Sequence, residues 1–157
     1  MIDMNFPKIS ARNLEGQTVE VPGALTGRVN LVALAFLREQ QHPIETWLPH
    51  LADLEARFPG LEVWQVPALS RRYAIWRGAI DRGMRAGITD ARVRSHTLTS
   101  YLDLDALQIS LGLRNLDDIR LYLLDAGGTV RWEGSGAYDP QTFSPLEGAL
   151  TQLLGGS

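Results

Sequence analysis

The sequence has 157 residues, of which 45% are hydrophobic and 21% are charged, a composition typical of a globular protein with one domain. We therefore expect a single domain spanning residues 1–157. The chain contains no cysteine, which excludes disulfides and thiol nucleophiles. No apolar run reaches the roughly 18 residues that a membrane span requires. The first residues lack a basic region and an apolar core, so we expect no signal peptide and a cytoplasmic location.

The net charge of −3 is unevenly distributed along the chain. Segment 71–94 has seven arginines against two aspartates, which gives +5 and leaves −8 for the remainder. Such a segment would bind an acidic protein, a phosphate-bearing ligand or an anionic membrane surface, or it would form a solvated helix face. Nucleic acid is a poor partner because the chain as a whole is acidic. The candidate binding residues of this basic helix are Arg71, Arg72, Arg77, Arg82 and Arg85.

The N-terminal half begins with a predicted β-hairpin over residues 9–21, where Gly16 marks a turn between two short runs. Residues 29–37 are almost continuously apolar, which predicts a strand buried on both faces in a central parallel position. A helix follows, with Pro43 in its first position and residues 59–60 (Pro-Gly) at its end. Its apolar stripe comprises Ile44, Trp47, Leu48, Leu51, Leu54 and Phe58.

The second half alternates in the same way. Residues 61–66 predict a strand, residues 73–84 a helix with Trp76 on its apolar face, and residues 97–101 a weak strand. We expect the side chains of Trp47 and Trp76 to lie in the core and Trp132 to be partly exposed.

The last part of the chain predicts two more helices and a strand pair. Residues 104–111 form a helix that ends at Gly112, a residue suited to a left-handed cap. Strands over residues 119–124 and 129–132 are joined by a turn, and residues 139–154 form the final helix. This order predicts an α/β fold: a three-layer α/β/α sandwich with a mixed sheet and an N-terminal β-hairpin.

Two motifs carry a resemblance to a known family. The N-terminal part of the chain resembles the peroxiredoxin-type form of the thioredoxin-like superfamily, the alkyl hydroperoxide reductase/thiol-specific antioxidant-like domains. The resemblance lies in Phe6-Pro7, Asn13-Leu14-Glu15-Gly16, Leu25-Thr26-Gly27-Arg28 and a strand ending at Phe36. Arg131-Trp132-Glu133-Gly134-Ser135-Gly136 is similar to a motif of the thioredoxin-like assembly factors of mitochondrial ATP synthase. The first resemblance runs from about Phe6 to the last helix and implies a thioredoxin-like fold.

The active site of that family is missing from this sequence. Its redox members have a reactive cysteine at the N-terminus of the first long helix, where the helix dipole stabilises the thiolate. They commonly have a cis-proline before the strand that corresponds to residues 119–124. The matching stretches here are residues 36–43, without cysteine, and residues 114–118, without proline. The resemblance therefore implies the fold without thiol peroxidase or disulfide oxidoreductase activity.

The loop before the first long helix is still a candidate site, with Arg38, Gln41 and His42 as binding residues. A helix N-terminus can hold an anion, and His42 could act as an acid or base near neutral pH; the alternative is a polar cap facing solvent. The three histidines, His42, His50 and His96, show no metal-ligand spacing, so we expect no metal, and the sequence predicts no cofactor.

We expect a redox-inactive domain that binds a protein partner as an assembly or accessory factor, without catalysis. The alternative is a non-thiol enzyme or a small-anion-binding protein that uses the vestigial active-site cleft. A third interpretation is a self-associating scaffold, that is, a homodimer.

Overall fold

The computed structural model describes residues 4–70, 76, 79–80, 82–84, 93 and 95–155, with only the backbone of Arg38. Its elements, in chain order, are β1 (Met4–Asn5), β2 (Ile9–Asn13), β3 (Thr18–Val21), β4 (Val29–Ala35), a 3₁₀ turn (Arg38–Gln40), α1 (Gln41–Arg57), β5 (Leu61–Ser70), β6 (Leu98–Leu102), α2 (Leu104–Leu111), β7 (Arg120–Asp125), β8 (Thr129–Ser135) and α3 (Pro140–Leu154).

These strands form one mixed sheet in the order β1-β8-β7-β4-β5-β6-β2-β3. The apolar strand β4 is central, as expected, but it is parallel only to β5 and runs antiparallel to β7. The predicted hairpin is β2–β3, in which Ile9 lies opposite Val21, and it forms one edge of the sheet. The sheet is therefore mixed, with the N-terminal hairpin that the sequence predicted.

Alternating side chains of the central strands fill two separate cores. On one face, Leu31 of β4 and Leu121 of β7 pack with the apolar sides of α1 and α3. On the other face, Val32 and Tyr122 pack with α2 and the N-terminal strands. Because successive residues of a strand point to opposite faces, one apolar strand supplies both layers. The three-layer α/β/α arrangement follows from this pattern.

Two sequence-based expectations about helices need correction. Helix α1 begins at Gln41, so Pro43 is its third residue rather than its first; position three also lacks an intrahelical acceptor for its N–H, so proline remains acceptable there. Trp76 is 59% exposed and not part of the core. It has 3₁₀ rather than α-helical conformation, and the 3.6-residue spacing that put it on a buried stripe does not apply to such a turn. Within the predicted helix over residues 73–84, the described residues 79–80 and 82–84 are helical.

The other helix ends agree closely with the sequence. Gly112 follows α2 with a φ of 68°, and its backbone N–H donates to the carbonyl of Ile109, as a left-handed cap does. Asp139 precedes α3, and its carboxylate accepts a hydrogen bond from the backbone N–H of Gln141.

The turn between β7 and β8 is organised by the carboxylate of Asp125. Its Oδ1 accepts from the N–H groups of Gly127 and Thr129, each at 3.0 Å, and its Oδ2 accepts from Nε of Arg131 at 2.8 Å. Burial opposes ionisation of this carboxyl. The hydrogen bonds outweigh burial and lower the pKa of Asp125 below its ordinary value.

Candidate functional site

The loop that the sequence predicts as a candidate site connects β4 to α1. Phe36 is buried at 2% exposed, whereas the next residue, Leu37, is 49% exposed. The chain then forms the 3₁₀ turn Arg38–Gln40 and enters α1 at Gln41. The loop therefore presents one large apolar side chain to solvent, immediately before the N-terminus of the first long helix.

A buried amide, that of Gln40, fixes the conformation of this loop. Gln40 is 5% exposed. Its Oε1 accepts from the backbone N–H of Phe36 at 2.8 Å and of Leu37 at 3.3 Å. Its Nε2 donates to the carbonyl of Leu116 at 2.8 Å. One side chain thus joins residues 36–37 to the segment of residues 114–118, which the resemblance matches to the cis-proline loop.

The segment that carries Leu116 is held from a second side as well. Nε2 of Gln108, on α2, donates to the carbonyls of Leu113 and Arg114 at 3.1 and 2.8 Å. Further along, Oδ1 of Asp118 accepts from the backbone N–H of Ile119 at 2.8 Å. Two glutamine amides and a carboxylate therefore order a segment that has no proline.

The residues predicted for this site have different environments. Gln41 and His42 are exposed on the first turn of α1, and the side chain of Arg38 lies outside the part of the chain that the structure describes. Gln40, which the sequence prediction omitted, is the buried residue. The spacing of Gln40 could have predicted its burial. Position 40 lies four residues before Ile44 and seven before Trp47, so it extends the buried stripe of α1, which continues to Leu51, back by one turn.

The basic helix is described only in part. Arg82 is exposed, while Arg71, Arg72, Arg77 and Arg85 lie outside the described residues. A shared arginine surface stays a prediction.

Three of the four tryptophans, Trp47, Trp64 and Trp132, are buried or partly buried in the two cores. Trp47 is fully buried, as predicted, and its Nε1 donates to the carbonyl of Gly136 at 2.8 Å. Trp64 is buried in the other core, with Nε1 bonded to Oδ1 of Asn30 at 3.0 Å. Trp132 is partly buried, as expected. The bond from Trp47 fixes the glycine-rich segment after β8 against α1.

His50 and His96 contact neighbouring side chains, whereas His42 is exposed on α1. His50 stacks on Tyr138 with ring centroids 3.5 Å apart. Nε2 of His96 lies 2.8 Å from a carboxylate oxygen of Glu62, and its ring stacks on Trp64. In the described residues, no group of three or more histidine, aspartate or glutamate side chains is placed to hold a metal ion. Nor is any described helix long and apolar enough to cross a membrane.

Comparisons with known proteins identify the fold. No family model matches the sequence, and no curated protein matches it either. Solved structures do match, including a Chlorobium tepidum protein assigned as thiol:disulfide interchange protein DsbE, at 16% identity and a TM-score of 0.61 over 98% of this chain and 97% of that one. BsSco, a member of the Sco family of cytochrome c oxidase assembly proteins, matches at 13% identity and a TM-score of 0.62 over 96% and 95% of the two chains.

A third similar structure is the thioredoxin domain of a thiol-disulfide oxidoreductase from Bacteroides vulgatus. It matches at 16% identity and a TM-score of 0.52 over 96% of this chain and 99% of that one. At these identities the likeness establishes the fold alone: the chain has a thioredoxin-like fold, and it has it without cysteine.

Proposed function

We propose that this chain is a redox-inactive thioredoxin-like domain, of the peroxiredoxin-type form, that binds a protein partner as an assembly or accessory factor. The observation that supports this proposal is the loop before α1. Redox members of the superfamily have their thiol in this region. Here the loop contains Gln40, and its side-chain amide is bonded to the backbone of the loop and to Leu116. The exposed Leu37 lies in the same loop.

A single exposed leucine is ordinary on a protein surface. Leu37 differs because its backbone is held by Gln40, so that little backbone conformational entropy remains to be lost when a partner covers the side chain. A rigid apolar projection beside exposed polar residues, here Gln41 and His42, suits the centre of a small protein interface. The same arrangement argues against a catalytic role for Gln40, since its oxygen and one of its N–H groups are already bonded within the protein.

The structural neighbours add support of a general kind. BsSco belongs to a family of cytochrome c oxidase assembly proteins, so this fold is used by a protein with an assembly role. The positive segment over residues 71–94 suggests a partner with an acidic stretch, which would contact arginines while an apolar residue covers Leu37. The proposal places the domain in the cytoplasm, which fractionation of native cells would check.

Co-purification from native-host lysate tests the proposal. We compare the tagged wild type with a Leu37→Asp variant, an Arg77→Glu/Arg82→Glu/Arg85→Glu variant and, as a matched control, an Ile109→Asp variant. Ile109 is a second exposed apolar residue, at 81% exposed, on a different element. We expect one stoichiometric partner to be retained by the wild type and the control and lost from the other two variants.

Each variant must be folded: its free energy of unfolding should differ from that of the wild type by no more than about 0.5 kcal/mol, the usual effect of a surface substitution. Retention of the partner by Leu37→Asp would refute the loop as the docking surface. A two-fold mass of the purified protein in light scattering, with no other protein bound, would support the homodimer instead.

A further inference from the structure

A serine, a histidine and a glutamate form a chain of hydrogen bonds just before β6. Nε2 of His96 lies 2.8 Å from Oε1 of Glu62, and Nδ1 of the same ring lies 3.0 Å from Oγ of Ser95. The side chain of His96 is 18% exposed and that of Glu62 is 29% exposed. Ser95 is half-buried. One imidazole therefore joins a carboxylate to a serine hydroxyl within reach of solvent.

The carboxylate determines which ring nitrogen of His96 holds the proton. An ionised carboxylate can only accept a hydrogen bond, so Nε2 of His96 donates to Glu62. A neutral imidazole has one protonated nitrogen, so Nδ1 has a lone pair and accepts from the hydroxyl of Ser95. The ring is therefore oriented to take a proton from Ser95, and the carboxylate stabilises the positive charge that results.

A buried tryptophan holds the imidazole in this orientation. The ring of Trp64 stacks on that of His96, with centroids 4.2 Å apart and planes at 21°. Trp64 is itself fixed, because its Nε1 donates to Oδ1 of the buried Asn30 at 3.0 Å. Oδ1 of Asn30 also accepts from the backbone N–H of Gly27 at 2.9 Å. The base therefore meets the hydroxyl in a preset geometry, which lowers the entropic cost of proton transfer.

We propose that Ser95 is a nucleophile that takes an acyl group from an activated ester, with His96 as its base and Glu62 as a positioning residue. A serine hydroxyl alone is a weak nucleophile. It is activated by a base within about 2.6–3.2 Å that is in turn oriented by a third group, and these three side chains have that arrangement.

The proposed reaction is an acyl transfer that needs no other reactant. Oγ of Ser95 forms a bond to the carbonyl carbon of the ester, and its proton passes to Nδ1 of His96. The bond from that carbon to the leaving oxygen then breaks, and the proton passes from His96 to the leaving oxygen. The products are an acyl-serine and an alcohol, and water later hydrolyses the acyl-serine.

This site is separate from the loop before α1, and it does not depend on the protein-docking proposal. Glu62 lies beside Asn30 near the start of β4, whereas Leu37 follows the end of that strand. Either proposal can therefore fail alone. Leu37→Asp should leave acylation of Ser95 unchanged, and Ser95→Ala should leave a protein partner bound.

Acetylation by p-nitrophenyl acetate tests the proposal. Absorbance follows the release of p-nitrophenol, and mass spectrometry locates the acetyl group in the protein. We expect acetylation of Ser95 in the wild type to be at least about 100-fold faster than that of Ser135, an exposed serine of β8, because a positioned base contributes about that factor or more. Ser95→Ala should remove the fast release of p-nitrophenol, and the matched control Ser135→Ala should retain it.

Variants of the other two residues test how Ser95 is activated. His96→Gln should slow acetylation of Ser95 about 100-fold, because glutamine cannot take the proton. Glu62→Gln should slow it about tenfold, because a charge-assisted hydrogen bond is weakened. Nitrogen-15 NMR of the imidazole should show the proton of His96 on Nε2 in the wild type, with a smaller excess of this tautomer in Glu62→Gln.

Three results would overturn the proposal. They are equal acetylation rates of Ser95 and Ser135 in the wild type, undiminished acetylation of Ser95 in a folded His96→Gln variant, and a proton on Nδ1 of His96 in the wild type. The first and third are measured on the unaltered chain, so the proposal stays testable if a variant does not fold.

Discussion

Replacing Gln40 with alanine tests the proposed rigidity of the loop before α1. The change removes two short hydrogen bonds of 2.8 Å and one longer bond of 3.3 Å, all made by a side chain that is 5% exposed. A hydrogen bond contributes about 0.5–1.5 kcal/mol net, and a buried group left without its partner costs about 1–3 kcal/mol. Counting the bond to Leu116 at about 0.5–1.5 kcal/mol and the buried N–H of Phe36, left without its acceptor, at about 1–3 kcal/mol, we expect Gln40→Ala to lower the free energy of unfolding by about 1.5–4.5 kcal/mol.

Urea denaturation followed by tryptophan fluorescence measures this change, with Gln41→Ala as the matched control. Gln41 is the same residue type one position later, but it is exposed, so its loss should change stability by no more than about 0.5 kcal/mol. Gln40→Glu adds a second comparison, because an ionised carboxylate still accepts from Phe36 and Leu37 but cannot donate to the carbonyl of Leu116. Equal stabilities of Gln40→Ala and Gln41→Ala would refute the reasoning.

Three further predictions follow from other parts of the fold. Gly112→Ala should destabilise the protein by about 1–2 kcal/mol, because the φ of Gly112, 68°, is left-handed. Gly148→Ala should instead stabilise it by about 0.5–1 kcal/mol, because Gly148 lies in an open position inside α3. Thermal unfolding of both variants measures these two changes. The pKa of Asp125 is lowered in the folded state, so the carboxylate contributes stability above its unfolded pKa, and this contribution is lost as pH falls through its folded pKa. Asp125→Asn should therefore flatten the acid side of the curve of stability against pH. An unchanged curve would contradict the stabilising role of the Asp125 carboxylate. Trp47→Phe leaves the carbonyl of Gly136 without its donor and should cost about 1–3 kcal/mol in urea denaturation; a cost below about 0.5 kcal/mol would show that this bond does not hold the segment after β8.

Local patterns were sufficient to predict most of the elements. The continuous apolar run of β4, the stripe of α1 and the cap at Gly112 each depend on neighbouring residues, and the structure has all of them. The position of Trp76 was wrong because helical spacing was assumed where the backbone has 3₁₀ conformation.

The site was harder to predict because its contacts join distant residues. Gln40 bonds to Leu116, 76 positions away. The spacing of the α1 stripe could have singled out Gln40 rather than Gln41 as the buried glutamine, but it does not identify the bonding partner.

Site-specific photo-crosslinking in native-host cells tests the central claim, that the loop before α1 docks a protein partner, most directly. A photoreactive amino acid replaces Leu37 in one variant and Gln152, an exposed residue of α3, in the control. The account predicts one discrete adduct with a single protein from position 37, reduced by the Arg77→Glu/Arg82→Glu/Arg85→Glu changes, and no such adduct from position 152. No adduct at position 37, or the same adduct from both positions, would contradict it.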